Sequence, residues 1–116
     1  MSEMLTLETR SVQQGMVVRL DGRFDAEGSE GVKQIIQQLA EATTEKLIID
    51  MSDVSFIDSA GLSVLVSALK RARRAGGDVL LCGLQPQAQT VFTLTMLDQV
   101  FPISPTAETA LEGSSI

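Results

Sequence analysis

Apolar and polar residues follow two periods along this chain, and the switches between them mark out its elements. From Met4 to Ser11 they alternate. Leu5, Leu7 and Thr9 fall on one face and Thr6, Glu8 and Arg10 on the other, as in a half-buried strand. Gln13-Gln14-Gly15 reads as a turn. Met16 to Leu20 follows as a second strand, closed by Asp21-Gly22, so the chain opens with a hairpin. Beyond Arg23-Phe24-Asp25-Ala26 the period lengthens: Val32, Ile35, Ile36, Leu39 and Ala40 recur at helical spacing, and Asp25 is placed to cap the helix start. Lys46 to Met51, KLIIDM, is a compact apolar run that predicts a central strand, and Ser52 to Ile57 a loop with a short apolar approach.

A second helix is predicted over Ser59 to Ala75. Leu62, Leu65, Val66, Leu69 and Ala72 form its buried stripe, and Ser63, Ser67, Lys70 and Arg74 its wet one. Gly76-Gly77 ends it, and the arginines of its last turn suit the negative end of the helix dipole. Asp78 to Leu84 is a further apolar strand. Pro86 fits the first turn of a third helix, in which Ala88, Val91, Phe92 and Thr95 share a face and which ends at Met96-Leu97 near Asp98. Val100 to Ile103 predicts a short last strand, and Pro102 places it at a sheet edge. Thr106 to Leu111, capped by Thr106, is a final helix, and residues 113–116 a frayed tail. The order β-β-α-β-α-β-α-β-α implies an α/β fold with a mixed sheet, an N-terminal hairpin followed by alternating helices and parallel strands, in a single domain over residues 1–116.

Composition narrows the functional classes. The chain has 116 residues and is 44% hydrophobic, yet carries only four Phe and no Tyr or Trp, so its core is aliphatic. A net charge of -6 disfavours non-specific binding to nucleic acid, which needs many phosphate-neutralising cations. One cysteine, Cys82, forms no intramolecular disulfide and fits a reducing compartment. The start, MSEMLTLETR, lacks the basic and apolar regions of a signal peptide, and no apolar run approaches the about 18 residues that cross a bilayer, which together predict a cytoplasmic protein without a membrane role. Histidine is absent, which removes Ser-His-Asp and Cys-His activation and the commonest metal ligand.

Candidate chemistry centres on Asp58-Ser59-Ala60-Gly61, where a strand-like run meets a helix start. Asp58 or Ser59 can cap the helix by accepting backbone N–H bonds, worth about 1 kcal/mol. Capping leaves Gly61 unexplained, because glycine in a helical turn costs up to ~1 kcal/mol against alanine. A close approach to the backbone would explain it. Ser59 can also be a phosphoacceptor: a helix N-terminus tolerates a phosphate, and the charge would alter the surface beside Asp58 more than the fold. A nucleophile elbow would need glycine where Ile57 stands, and a histidine. Asp50, Asp53 and Asp58 suggest a Mg²⁺ site of the receiver type, but the acidic pair after the first strand and the lysine after the last are missing. The cluster Lys70, Arg71, Arg73 and Arg74 reads as a solvated helix end, and Cys82 as a buried inert thiol. Val64 lies off the Leu62-Leu65-Leu69 stripe, either covered by a neighbouring element or forming an apolar contact patch beside Ser59.

Four stretches in order carry a resemblance. They are Val18-Arg19-Leu20-Asp21-Gly22-Arg23-Phe24-Asp25-Ala26, Leu47-Ile48-Ile49-Asp50-Met51-Ser52-Asp53-Val54, Phe56-Ile57-Asp58-Ser59-Ala60-Gly61-Leu62 and Val91-Phe92-Thr93-Leu94-Thr95-Met96-Leu97-Asp98. With them the chain resembles a bacterial anti-sigma factor antagonist of the STAS type (sulfate transporter and anti-sigma factor antagonist domain), from Leu5 to about Leu111. The resemblance implies that Ser59 is the phosphoacceptor and that Asp25, Asp58, Ser59, Ala60, Gly61, Ser63 and Val64 meet the partner. It implies an anti-sigma factor that is itself an ATP-dependent serine kinase, bound by the unphosphorylated form and released by the phosphorylated one. A serine phosphatase resets the switch. The chain itself would bind no cofactor, ATP belonging to the kinase, and catalyse nothing. Some relatives instead serve as constitutive subunits of signalling or lipid-transport assemblies. Two positions depart from the family pattern: Ala60 stands where many relatives have a second serine, and Met96 where a glycine is common. Monomer and weak homodimer are both compatible with the sequence.

Overall fold

In the computed structural model, which describes residues 4–113, five strands form one sheet in the order β1-β2-β3-β4-β5. β1 (Thr6–Val12) and β2 (Gly15–Phe24) are the antiparallel hairpin, and β3 (Lys46–Ile57), β4 (Asp78–Cys82) and β5 (Ile103–Ser104) run parallel to β2. Parallel neighbours need crossovers, and helices supply them. α1 (Ala26–Ala42) links β2 to β3, α2 (Ser59–Arg74) links β3 to β4, and α3 (Pro86–Leu94) with a 3-10 turn at Leu97–Gln99 links β4 to β5. α4 (Ala107–Gly113) follows the last strand. The mixed α/β fold and its element order are as the hydrophobic pattern predicts.

The apolar strand runs are continuous because both sheet faces are covered. Adjacent residues point opposite ways. Val18, Ile49 and Leu81 join Val32, Ile36, Leu65, Leu69 and Phe92 in the larger core under α1, α2 and α3. Val17, Ile48 and Leu80 join Cys82, Ala107 and Ala110 in a smaller core under α4. Phe92 and Phe101 meet edge to face at 5.9 Å between ring centroids.

Several boundaries differ from the sequence reading. β2 does not close at Asp21-Gly22 but continues to Phe24, and the predicted loop Ser52 to Ile57 is the second half of β3. The two strands keep pairing through register shifts at Arg19/Asp21 and Gly22/Arg23. These irregularities break the two-residue alternation, so Met51, Val54 and Ile57 are buried at a spacing of three and the stretch loses its strand signature. In α1, Ile35 is 44% exposed, and the stripe is carried by Val32, Ile36 and Ala40. In α2 the buried set includes Val64 and Ala68, while Leu62 and Val66 are half-buried. Thr95 is exposed, and the predicted last strand over Val100 to Ile103 is only Ile103–Ser104, following Pro102.

The ends of α2 and α3 are built differently. Gly76 takes φ +96, donating its N–H to the Arg73 carbonyl at 3.2 Å while Gly77 donates to Ala72 at 2.8 Å, a Schellman closure of α2. α3 stops at Leu94, before the predicted Met96-Leu97, and Met96 adopts a left-handed φ of 61. Thr106 caps α4, its hydroxyl accepting the Thr109 N–H at 3.1 Å. The predicted tail beyond Gly113 lies outside the described residues.

Candidate functional site

Two helix starts lie side by side where β2 and β3 end. At each, an aspartate leaves the strand with extended backbone and caps the helix three residues ahead of a glycine. Asp25 Oδ1 accepts the Gly28 N–H at 2.8 Å, and Asp58 Oδ1 accepts the Ala60 N–H at 2.9 Å and the Gly61 N–H at 3.4 Å. The Asp58 N–H donates to the Phe24 carbonyl at 3.4 Å, tying the two starts together. The cap of α2 is thus Asp58 and not Ser59.

Both glycines are explained by this junction. A Cβ on Gly61 would clash with the Phe24 carbonyl oxygen and stand 2.8 Å from Ile57 Cγ1; a Cβ on Gly28 would clash with the Arg23 carbonyl oxygen. What approaches Gly61 closely is therefore the end of β2, and Gly61 is buried. The motif Asp-x-x-Gly occurs twice, at 25–28 and 58–61, and that repetition is the sequence signal that could have found Gly28.

Ser59 occupies the first position of α2, exposed, and no described residue hydrogen-bonds its hydroxyl. Ala60 is half-buried and Ser63, one turn on, is exposed. Both line a cleft of about 360 Å³ between α1 and α2, with Ala26, Ser29 and Ser67. Ser29 is itself buried, its hydroxyl donating to the Ala26 carbonyl at 3.1 Å. Val64 is 3% exposed at the base of this cleft, covered by α1 as a neighbouring element, and forms no apolar contact patch beside Ser59. A second, shallow groove of about 460 Å³ runs along α2 from Ser59 past Leu62 and Val66 to Lys70 and Arg74.

The charges around the junction are mostly engaged. The Gly28 N–H bond and the neighbouring Arg23 guanidinium hold the Asp25 carboxyl below its ordinary value. Because its folded value is the lower one, the stability Asp25 contributes is complete above the unfolded pKa and is lost as pH falls through the folded one. Arg23 lies 3.3 Å from Asp25 Oδ2 and stacks over Phe56 at 4.3 Å, two contacts that the sequence reading missed. Asp53 pairs with Arg19, and Asp50 accepts the Ser52 N–H at 3.0 Å and hydroxyl at 2.7 Å. With Asp58 engaged as a cap, the three acids do not converge, and among the described residues no three His, Cys, Asp or Glu side chains gather as metal ligands. In the basic cluster Arg71 pairs with Glu41 and Arg73 with Asp78. Cys82 is buried, and desolvation, with Asp50 beside it, pushes its thiol up to about 12. No described helix is long and apolar enough to cross a membrane.

Comparison with known proteins agrees with this fold. The sequence profile of the STAS domain matches residues 6–110. An anti-sigma-B factor antagonist of Listeria monocytogenes is 32% identical over 82 residues, 71% of this chain and 72% of that protein. The anti-sigma-B factor antagonist of Bacillus subtilis is 27% identical over 104 residues, 90% of this chain and 94% of that one. Among solved structures, an anti-sigma factor antagonist from Mycobacterium paratuberculosis superimposes with a TM-score of 0.84 at 27% identity, covering 94% of this chain and 92% of that one. With this match spanning most of its length, the chain belongs to the STAS domain family.

Proposed function

We propose that this protein is an anti-sigma factor antagonist switched by phosphorylation of Ser59. One observation carries the reading: Asp58 caps α2, so the Ser59 hydroxyl is exposed and structurally unemployed at the head of the helix. A modifying enzyme can reach it, and a phosphate there leaves the cap and the Gly61 packing in place. The phosphate adds about -1.5 to -2 charges beside Asp58. The positive end of the α2 dipole tolerates that charge in the isolated protein. In a desolvated interface, like-charge contact costs several kcal/mol, enough to release a partner.

The partner in this reading is an anti-sigma factor that is also a serine kinase and carries the ATP; this chain supplies no nucleotide site and no catalytic group. Unphosphorylated, it presents Ser59, Ala60 and Ser63 with Asp25 at the neighbouring helix head, a surface of small side chains over which a partner backbone can lie. Bound, it frees the sigma factor. A serine phosphatase restores the binding form, and the exchange takes place in the cytoplasm.

Intact mass of the protein purified from its own cells, with fragmentation across residues 54–74, tests the modification. One phosphate on Ser59 supports the switch. An unmodified mass under varied growth conditions, together with a stable complex on purification, would favour a constitutive STAS subunit instead.

A further inference from the structure

The two edges of the sheet are treated differently. β5 is two residues long and flanked by Pro102 and Pro105, a strand that cannot template another. β1, at the other edge, is seven residues long, contains no proline, and pairs with β2 without a bulge from Thr6↔Asp21 to Val12↔Gly15. Thr6, Glu8, Thr9, Arg10 and Ser11 are exposed, and Leu7 and Val12 are half-buried. Natural edges of this kind are guarded by charge, bulges or cover. Here the guard is Glu8 and Arg10 alone, and they are of opposite sign.

Their positions are self-complementary. In Thr6–Val12 the central residue is Thr9. A two-fold axis through Thr9 sets two copies of β1 antiparallel with all seven residues paired: Thr6 faces Val12, Leu7 faces Ser11, Thr9 faces Thr9, and Glu8 faces Arg10 twice over. Opposite charges directly across an antiparallel pair are stabilising, and like charges are not. A parallel arrangement in register would set Glu8 against Glu8 and Arg10 against Arg10. Within one chain Arg10 lies across from Val17 and makes no ion pair among the described residues.

We infer that β1 is a homodimerisation edge: two chains join antiparallel about Thr9, with reciprocal Glu8–Arg10 pairs, into one continuous ten-stranded sheet. The contact is narrow, below the about 1,200 Å² of a stable interface, so the dimer is weak and forms at high concentration. None of the residues assigned to the Ser59 switch lies in β1, so this inference stands or falls apart from that function.

Sedimentation velocity over a concentration series, with circular dichroism to verify folding, tests it. The wild-type chain dimerises as concentration rises. Glu8→Arg and Arg10→Glu chains each remain folded monomers, because each sets like charges across the axis. Mixed one to one they form a heterodimer, because the substituted arginine of one faces the substituted glutamate of the other. A wild-type chain that stays monomeric up to about 1 mM, single variants that dimerise like wild type, or a mixture that fails to associate would each overturn the inference.

Discussion

Asp58 and Ser59 stand next to each other at the head of α2, and the geometry separates their roles. The Asp58 carboxylate accepts two first-turn N–H bonds, while the Ser59 hydroxyl accepts none. Asp58→Ala is therefore expected to lower unfolding free energy by about 1 kcal/mol, and Ser59→Ala to leave it within about 0.5 kcal/mol. Urea denaturation of the two variants checks this, and the reverse order would make Ser59 the cap after all. Gly61→Ala belongs to the same scale. Its methyl group would press on the Phe24 carbonyl and the Ile57 side chain, both held in the sheet. The expected loss is about 1–3 kcal/mol, the range for an overpacked core. An unchanged unfolding midpoint would mean that the β2 end yields easily. The Cys82 thiol, raised to about 12 by burial, stays protonated at neutral pH. It should resist alkylation at pH 8 in the folded protein and react fully in denaturant, a difference that mass spectrometry reads directly. Equal rates in both states would contradict its burial. At this scale the sequence was legible where chemistry is local: Asp58, Ser59 and Gly61 sit in one motif. It was not legible where partners are distant. Arg23 finds Phe56 only after β2 and β3 have shifted register.

Among the elements, long strongly periodic ones were readable and irregular ones were not. α1 and α2 carry apolar residues at helical spacing; α1 begins at the predicted Asp25 cap, and α2 at Asp58, one of the two caps the sequence left open. The second half of β3 was hidden because its buried residues recur at three and not two, and Asp21-Gly22, a turn signal by composition, lies inside a bulged strand. In Gly22 that composition meets a real need of another kind: φ is +125, and a Cβ would come 2.9 Å from the Met4 carbonyl oxygen. The end of α3 shows the converse case. Met96 is 66% exposed and holds φ 61, a left-handed conformation that costs a residue with a Cβ about 1–2 kcal/mol. Met96→Gly removes that cost and adds some chain entropy to the unfolded state, for a net gain of roughly 0.5–1 kcal/mol. The thermal midpoint should rise by about 2–5 °C in calorimetry. A fall would mean that the Met96 side chain contributes contacts worth more than the strain.

In the molecule as a whole, the sheet holds two capped helix heads together and leaves the Ser59 hydroxyl exposed beside them. α1 and α2 pack on the same core, and the tie from Asp58 to Phe24 links their starts. A charge placed on Ser59 should therefore act at the surface and not by unfolding the helix. Asp58, Gly28 and Gly61 build the junction, and in the proposed switch Ser59 regulates what docks on it. The most direct test is the affinity of the protein for the anti-sigma factor proposed as its partner, measured by titration calorimetry with the unmodified chain and with the chain phosphorylated on Ser59. Binding should weaken by at least about 100-fold on phosphorylation, corresponding to roughly 2.7 kcal/mol, with the fold of both forms intact by circular dichroism. Equal affinity of the two forms would contradict it and leave Ser59 with no part in the switch.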